Sequence, residues 1–250
     1  MGGDMSIKLP TEKSTIDLLF KDQKIGIIGS AGIGKSSFFA EDSNALFIEA
    51  EAGLNFLKVF KVPARCWEDL REIYAELKTL EQSGKFPYSI IVVDTIDRIV
   101  DFAEEEIVKR AKEFYKTMSN EINTIGDVPN GAGWAKQKDL VMGFLNKLEE
   151  LPCAIAYIGH LQTKEIKEGV QKYNKDTINI GGKLGLELLA WPDHLLHIKS
   201  TMQGEKLIRR IRTKPSQSIE AKSRGGIVQD NWQWSENMAE NYQAFRKLFK

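Results

Sequence analysis

Four short runs of apolar residues, rich in isoleucine and valine, recur along the chain, and each is followed by a longer amphipathic or polar stretch. They cover residues 24–29, 45–50, 89–94 and 154–159. Runs that are continuously apolar, rather than alternating with polar residues, indicate strands buried on both faces, which is typical of a parallel sheet covered by helices. The hydrophobic pattern therefore predicts an α/β fold with a mostly parallel central sheet.

Between these runs, apolar residues recur at helical spacing. The spacing predicts helices over residues 67–80, 102–118 and 140–148, and we interpret their apolar and aromatic stripes as faces packed on the sheet. Further on, residues 195–198 and 206–211 resemble two strands joined by a turn at Gln203 and Gly204. This pattern predicts an antiparallel hairpin that closes one edge of the sheet.

The remaining segments lack periodicity. Residues 1–22 are polar apart from a short apolar cluster at Ile16, Leu18, Leu19 and Phe20, which predicts a lead-in strand or a cap over the first core strand. Residues 122–133, rich in glycine, and residues 162–182, which are polar, are predicted to be mobile loops. We expect residues 1–250 to form one domain.

Composition narrows the class of protein further. The chain has 35 Lys and Arg against 35 Asp and Glu, so no global field favours nucleic acid or a membrane surface. The apolar runs are far shorter than the roughly 20 residues that span a bilayer, so we expect a soluble, intracellular protein without a membrane partner. Cys66 and Cys153 lack the spacing of a zinc site, and we predict that both are reduced thiols in the core.

A phosphate-binding P-loop follows the first apolar run. The motif matches at every fixed position and consists of Gly29, Ser30, Ala31, Gly32, Ile33, Gly34, Lys35 and Ser36, with Ser37 next to it. In such a loop the backbone N–H groups surround the phosphates, the lysine reaches the β and γ phosphates, and the hydroxyl after it ligates magnesium. The motif predicts that the protein binds ATP with Mg²⁺ and hydrolyses it.

Other polar residues lie where the predicted strands end. Asp94 ends an apolar run, and we predict that it holds Mg²⁺ together with Ser36, whereas Asp97 is interpreted as a helix cap or surface residue. Glu51 follows the second run and is a candidate to activate the attacking water, with Glu49 as its rival.

The fourth apolar run is followed by two candidates for a γ-phosphate sensor, His160 and Gln162. The predicted catalytic set is therefore Lys35, Glu51 and His160.

Charge is concentrated in one stretch near the C-terminus. Residues 205–224 carry seven basic side chains and two acidic ones. The basic residues are Lys206, Arg209, Arg210, Arg212, Lys214, Lys222 and Arg224. This stretch either contacts nucleic-acid phosphates, or supplies a trans-acting cation to a neighbouring subunit, or is a solvated hairpin face. In the segment 162–182, four lysines nearly balance three acids, and Tyr173 is a candidate for stacking on a base.

These motifs resemble those of RecA-like recombination ATPases, and most closely the phage-encoded ATP-binding proteins implicated in single-strand annealing. Residues 47–51 (Phe-Ile-Glu-Ala-Glu) are similar to the family strand that ends in the catalytic glutamate, and Gly53 follows as in the phage branch, which favours Glu51 over Glu49. Residues 127–134 resemble a phage-branch motif in the region of the first DNA-binding loop, and the segment after His160 corresponds to the second.

The resemblance implies a RecA-like fold and ATP-dependent action on single-stranded DNA in recombination, annealing or repair. It also implies a phage-encoded protein in the bacterial cytoplasm and a homo-oligomer in which Arg212, Lys214 or Arg224 acts in trans. His160 departs from the family, which usually has glutamine at this position. The resemblance does not extend to the N-terminal oligomerisation helix or the C-terminal domain of full-length recombinases, so filament formation is not carried over.

Three other classes of P-loop protein are alternatives to this interpretation. One is a P-loop ATPase whose partner is a protein, such as a loader or packaging accessory, with no stimulation by DNA. A small-molecule kinase would need an acceptor pocket and a lid, which the sequence does not indicate. A GTPase is disfavoured because the nearest match to its base-reading motif, residues 146–149, ends in glutamate and lies in a predicted helix.

Overall fold

The computed structural model describes residues 9, 11–13, 17–169 and 171–250. Within these residues, ten strands form one sheet. The strands are β1 Lys24–Gly29, β2 Ala45–Glu49, β3 Phe60–Pro63, β4 Ile90–Asp94, β5 Ala154–Glu168, β6 Gln171–Ile178, β7 His194–Gln203, β8 Lys206–Arg212, β9 Lys222–Ser223 and β10 Trp232–Gln233. The helices are α1 Lys35–Phe39, α2 Trp67–Gln82, α3 Ile96–Phe114, α4 Ala132–Leu148, α5 Gly182–Ala190 and α6 Met238–Arg246.

The sheet has the strand order β10-β8-β7-β1-β5-β4-β2-β3. The six strands from β7 to β3 are parallel, whereas β8 and β10 add antiparallel strands at one edge. This arrangement confirms the predicted fold class, including the hairpin of β7 and β8, whose turn contains Gly204 at a φ of 63°.

Helices cover both faces of the sheet, which explains why the central strands are apolar throughout. On one face, Ile91 and Val93 of β4 contact the core formed with α2, α3, α4 and α5. On the other face, Ile90 and Val92 contact a second core that includes Phe38 of α1 and residues of α6. None of the helices that the structure describes combines the length and hydropathy that a bilayer-spanning segment requires.

The prediction of a loop over residues 162–182 was wrong for most of its length. β5 continues to Glu168 and pairs with β6 in an antiparallel hairpin, with Gly169 at a φ of 61° after the end of β5. The hairpin carries cross-strand polar pairs, such as the hydrogen bond from Thr163 Oγ1 to Asp176 Oδ1 at 2.8 Å. Polar side chains on both faces hide the period-two signal that a half-buried strand would show. Between β6 and α5, residues 179–181 are irregular.

Three other expectations need adjustment. Residues 122–133 contain two short 3-10 turns, Ile125–Asp127 and Pro129–Gly131, and α4 already begins at Ala132. Phe20 lies in a 3-10 turn and packs on Phe249, whereas Ile16 of the predicted lead-in lies outside the described residues.

Cys153 is buried, but Cys66 is exposed, so the prediction of two core thiols was wrong for Cys66. Cys66 precedes α2 directly, where a preceding side chain need not face the core.

Two buried histidines lie on β7. His194 and His197 are 1% and 0% exposed, and burial lowers the pKa of each to about 4. Their hydrogen bonds go to neutral groups, with Ser223 and Gln23 for His194 and the Glu220 carbonyl for His197. Both imidazoles are therefore neutral in the folded protein at neutral pH.

Acid should destabilise the fold through these two residues. The unfolded chain binds protons at these histidines near the ordinary pKa of about 6.5, whereas the folded chain does so near 4. The contribution of each neutral histidine to the free energy of unfolding is therefore fully present above pH 6.5 and is lost as the pH falls toward 4, by about 3 kcal/mol per histidine. Urea unfolding at several pH values across this range measures the slope. The single variants His194→Asn and His197→Gln should each show a shallower slope than the wild type, and an unchanged slope would contradict the assignment.

Candidate nucleotide-binding site

Three parallel strands, β1, β2 and β4, end at one edge of the sheet, where β5 passes between β1 and β4. β5 lies between β1 and β4, so Gly29 is opposite His160, and Asp94 is opposite Ile158 of β5. On the other side of β4, Asp94 is opposite Glu49 of β2. Ligands of open α/β sheets bind outside such strand ends, and every residue of the predicted catalytic set lies at or near this edge.

The P-loop joins β1 to α1, as the motif predicts. Gly32 and Gly34 have φ values of 71° and 105°, which side chains with a Cβ rarely adopt, so these two glycines allow the loop to curl. The Lys35 ammonium donates to the carbonyls of Gly29 at 2.9 Å and Ser30 at 3.0 Å. The Lys35 side chain therefore folds back onto the P-loop, and only 6% of the residue is exposed.

Ser36 and Asp94 form the link between the P-loop and β4. Ser36 Oγ donates to Asp94 Oδ2 at 2.7 Å, and Asp94 is 6% exposed. Burial raises the pKa of Asp94, while the hydrogen bond from Ser36 and the charge of Lys35 oppose the increase. A hydroxyl and a carboxylate side by side are the hard oxygen donors that Mg²⁺ prefers, so this pair fits the predicted metal.

Glu51 and Glu49 have different surroundings. Glu51 lies two residues beyond β2, at the rim of the cleft, and its Oε2 accepts a hydrogen bond from Thr95 Oγ1 at 3.2 Å. Glu49 instead pairs with Lys61 at 3.0 Å and does not line the cleft. The geometry favours Glu51 for any role at the nucleotide.

The two sensor candidates also separate. His160 lines the cleft, whereas the Gln162 side chain donates to the Ile178 carbonyl at 2.8 Å within the β5–β6 hairpin. The structure therefore brings His160 to the site and turns the Gln162 amide to β6.

Asp97 is a site residue that the sequence interpretation missed. Its Oδ2 accepts the backbone N–H of His160 at 3.0 Å and lies 3.5 Å from the His160 ring nitrogen Nδ1. Burial raises the pKa of Asp97, and its other oxygen has no hydrogen-bond partner among the described residues. The assignment as a cap or surface residue was wrong because the first turn of α3 faces β5 at His160. The spacing of three between Asp94 and Asp97 is the signal in the sequence.

The charge balance of the cleft is negative. Burial lowers the pKa of the Lys35 ammonium, and Asp94, Asp97 and Glu51, in that order of strength, oppose the decrease. Three carboxylates thus act on one ammonium, which makes the site attractive to a further cation.

The cleft has a volume of about 350 Å³. It is lined by Ala31, Gly32, Gly34, Lys35, Ser36, Ser37, Glu51, Ala52, Gly53, Phe56, Leu57, Asp94, Thr95, Ile158 and His160. Of the other P-loop residues, Gly29 and Ser30 contribute carbonyls to Lys35, and the Ile33 side chain is buried in the core.

The basic stretch does not form a continuous patch of free charges. Arg212 pairs with Asp230 at 3.2 Å, and Arg224 pairs with Asp193 at 3.0 Å. Burial lowers the pKa of Lys222, whose ammonium donates to the Ala190 carbonyl. Within the part of the chain that the structure describes, Lys214 forms no ion pair, and Arg209 turns back to the P-loop.

Fold and site together define the class of the protein as a P-loop ATPase. The family model described as an AAA domain (AAA_24) matches residues 21–225, and the chain belongs to this family. A search of curated proteins finds no match.

Two solved structures resemble the fold. One is a KaiC-like protein from the hyperthermophilic archaeon Pyrococcus horikoshii OT3, with a TM-score of 0.50, 13% identity and 88% of each chain covered. The other is the flagellar accessory protein FlaH from Methanocaldococcus jannaschii, with a TM-score of 0.41, 12% identity and 78% of each chain covered.

Proposed function

We propose that the protein hydrolyses ATP in this cleft and couples the turnover to single-stranded DNA, in phage-type recombination, annealing or repair. The observation that carries the ATPase proposal is the convergence of Lys35, Ser36, Asp94 and Glu51 on one cleft beside the P-loop. Lys35 and Ser36 come from the P-loop, Asp94 from the end of β4 and Glu51 from the segment after β2. The order of the strands in the sheet therefore sets the distances between these side chains.

The division of roles follows from the contacts. The P-loop amides and Lys35 bind the β and γ phosphates, once the ammonium exchanges its two carbonyl partners for phosphate oxygens. Ser36 and Asp94 would hold Mg²⁺, which neutralises phosphate charge when it is bound. Glu51, held by Thr95, orients the attacking water and accepts its proton. His160 contacts the γ-phosphate region and is positioned by Asp97.

The DNA part of the proposal is supported by the course of β5. This strand begins in the core, passes His160 at the cleft and continues without a break into the β5–β6 hairpin. The hairpin carries Lys164, and also Lys167 and Lys172, which are exposed and lie 3.9 and 3.6 Å from Glu165. These cations can contact phosphates, and Tyr173 on the same hairpin offers a ring for a base. Another aromatic residue, Trp134, is 60% exposed and lies in the motif that resembles the first DNA-binding loop.

We also propose a homo-oligomer in which a basic residue reaches the neighbour's site. Lys214 suits this role better than Arg212 or Arg224, because each arginine would first have to leave its carboxylate in the same chain. A guanidinium released from a partly buried pair leaves a carboxylate without its partner, which is unfavourable.

Exchange of Glu51 should abolish turnover but leave binding intact. We expect Glu51→Gln to lower kcat by about 100-fold or more, because glutamine cannot accept the proton of the attacking water. Glu49→Gln is the matched control and should retain activity, since Glu49 pairs with Lys61. Phosphate release at saturating ATP measures both. Equal losses in the two variants would contradict the assignment of Glu51.

Single-stranded DNA should stimulate the ATPase. We expect the steady-state rate to rise several-fold with a single-stranded oligonucleotide, and to fall again with added salt because phosphate contacts release counterions. Lys35→Ala serves as the blank. A wild-type rate that ignores DNA, together with the absence of salt-sensitive DNA binding, would leave an ATPase with a protein partner as the function.

A further inference from the structure

One arginine of the basic stretch lies against the P-loop of its own chain. Arg209 of β8 donates from Nη1 to the carbonyl oxygen of Ile33 at 3.3 Å. Its guanidinium also lies over the ring of Trp234, 5.8 Å from the ring centre. Trp234 is 4% exposed and stacks on Phe38 of α1, with 5.1 Å between ring centres and 14° between planes. Arg209 is thus held between the P-loop and an aromatic pair that is anchored in the core.

The fit at Gly34 is equally close. A Cβ at this position would lie 3.0 Å from Arg209 Nη1 and 3.0 Å from the terminal methyl of Met238 in α6. Gly34 is therefore required twice, once for its φ of 105° and once for the approach of β8 and α6 to the outer side of the loop.

The contact acts on the peptide that joins Ile33 to Gly34. A trans peptide is planar, so its C=O and N–H groups point in opposite directions. When the Ile33 carbonyl faces Arg209 on the outer side, the N–H of Gly34 is directed away from Arg209, and Gly34 lines the cleft. A charged donor on the carbonyl also polarises the peptide and strengthens its N–H as a donor.

We propose that Arg209 is a positioning residue in cis, which fixes the Ile33–Gly34 peptide so that its N–H group serves the ATP phosphates. The proposal rests on the proposed function only in taking ATP as the ligand. Arg209 thus differs from Arg212 and Arg224, the candidates for a role in a neighbouring subunit, because it acts on ATP affinity within its own chain.

The test compares Arg209→Gln, Arg209→Lys and Arg246→Gln. Arg246 is a matched control remote from the cleft lining, since it donates to the Phe249 carbonyl at 3.3 Å and lies over the Phe20 ring at 4.1 Å. ATP binding is measured by calorimetric titration in magnesium buffer, and KM and kcat are measured separately.

We expect Arg209→Gln to raise Kd and KM for ATP about tenfold, the effect of one lost charged hydrogen bond, with kcat at saturating ATP within about twofold of the wild type. Arg209→Lys should recover part of the affinity, because an ammonium can donate to Ile33 but lacks the guanidinium that lies over Trp234. Arg246→Gln should bind ATP as the wild type does.

Two results would overturn the proposal. One is an ATP Kd for Arg209→Gln equal to that of Arg246→Gln. The other is a loss of kcat without a change in Kd that is restored by mixing Arg209→Gln with Lys35→Ala, which would show that Arg209 acts in trans. If the wild type binds ATP but does not hydrolyse it, the proposed function fails while the Kd comparison still decides the role of Arg209. A wild type that binds no ATP would contradict both.

Discussion

Lys35 is a buried cation, and the site is built around the need to compensate it. An ammonium in a largely dry position is costly unless it is hydrogen-bonded and faces opposite charge. Two P-loop carbonyls accept its hydrogen bonds, and Asp94, Asp97 and Glu51 supply the opposing charge. These carboxylates come from the end of β4, the first turn of α3 and the segment after β2, so the position of one lysine depends on several separate elements.

The order of the strands makes this convergence possible. Because β5 lies between β1 and β4, it places His160 between the ends of these two strands, while Ser36 of the P-loop reaches across to Asp94. Asp97 then ties the backbone of His160 to α3. The same strand continues into the β5–β6 hairpin, so the cleft and the hairpin share one continuous backbone. On the far side of β1, β8 brings Arg209 back to the loop, which braces the P-loop from outside.

The elements that the sequence predicted well are those with a strong local signal. The apolar runs identified the parallel strands β1, β2 and β4 and the start of β5, and the glycine-lysine-serine spacing identified the P-loop. The hairpin after His160 was missed because its two strands are polar on both faces, and their pairing is set across a turn rather than by burial. Asp97 and Arg209 were missed for another reason. Their importance arises from tertiary proximity, namely α3 against β5 and β8 against the P-loop. Asp97 leaves a weak trace in its spacing of three from Asp94, whereas the contact of Arg209 with the P-loop leaves no pattern along the chain.

The central claim is that the residues around Lys35 form a magnesium-dependent ATP hydrolysis site. A crystal structure with Mg²⁺ and a non-hydrolysable ATP analogue tests it most directly. The account predicts that the triphosphate lies along the P-loop from Gly29 to Ser36, with the Ser36 hydroxyl on the metal and the Glu51 carboxylate facing the γ-phosphate. A nucleotide bound elsewhere, or one bound in the P-loop with Glu51 turned away and another carboxylate at the γ-phosphate, would contradict it.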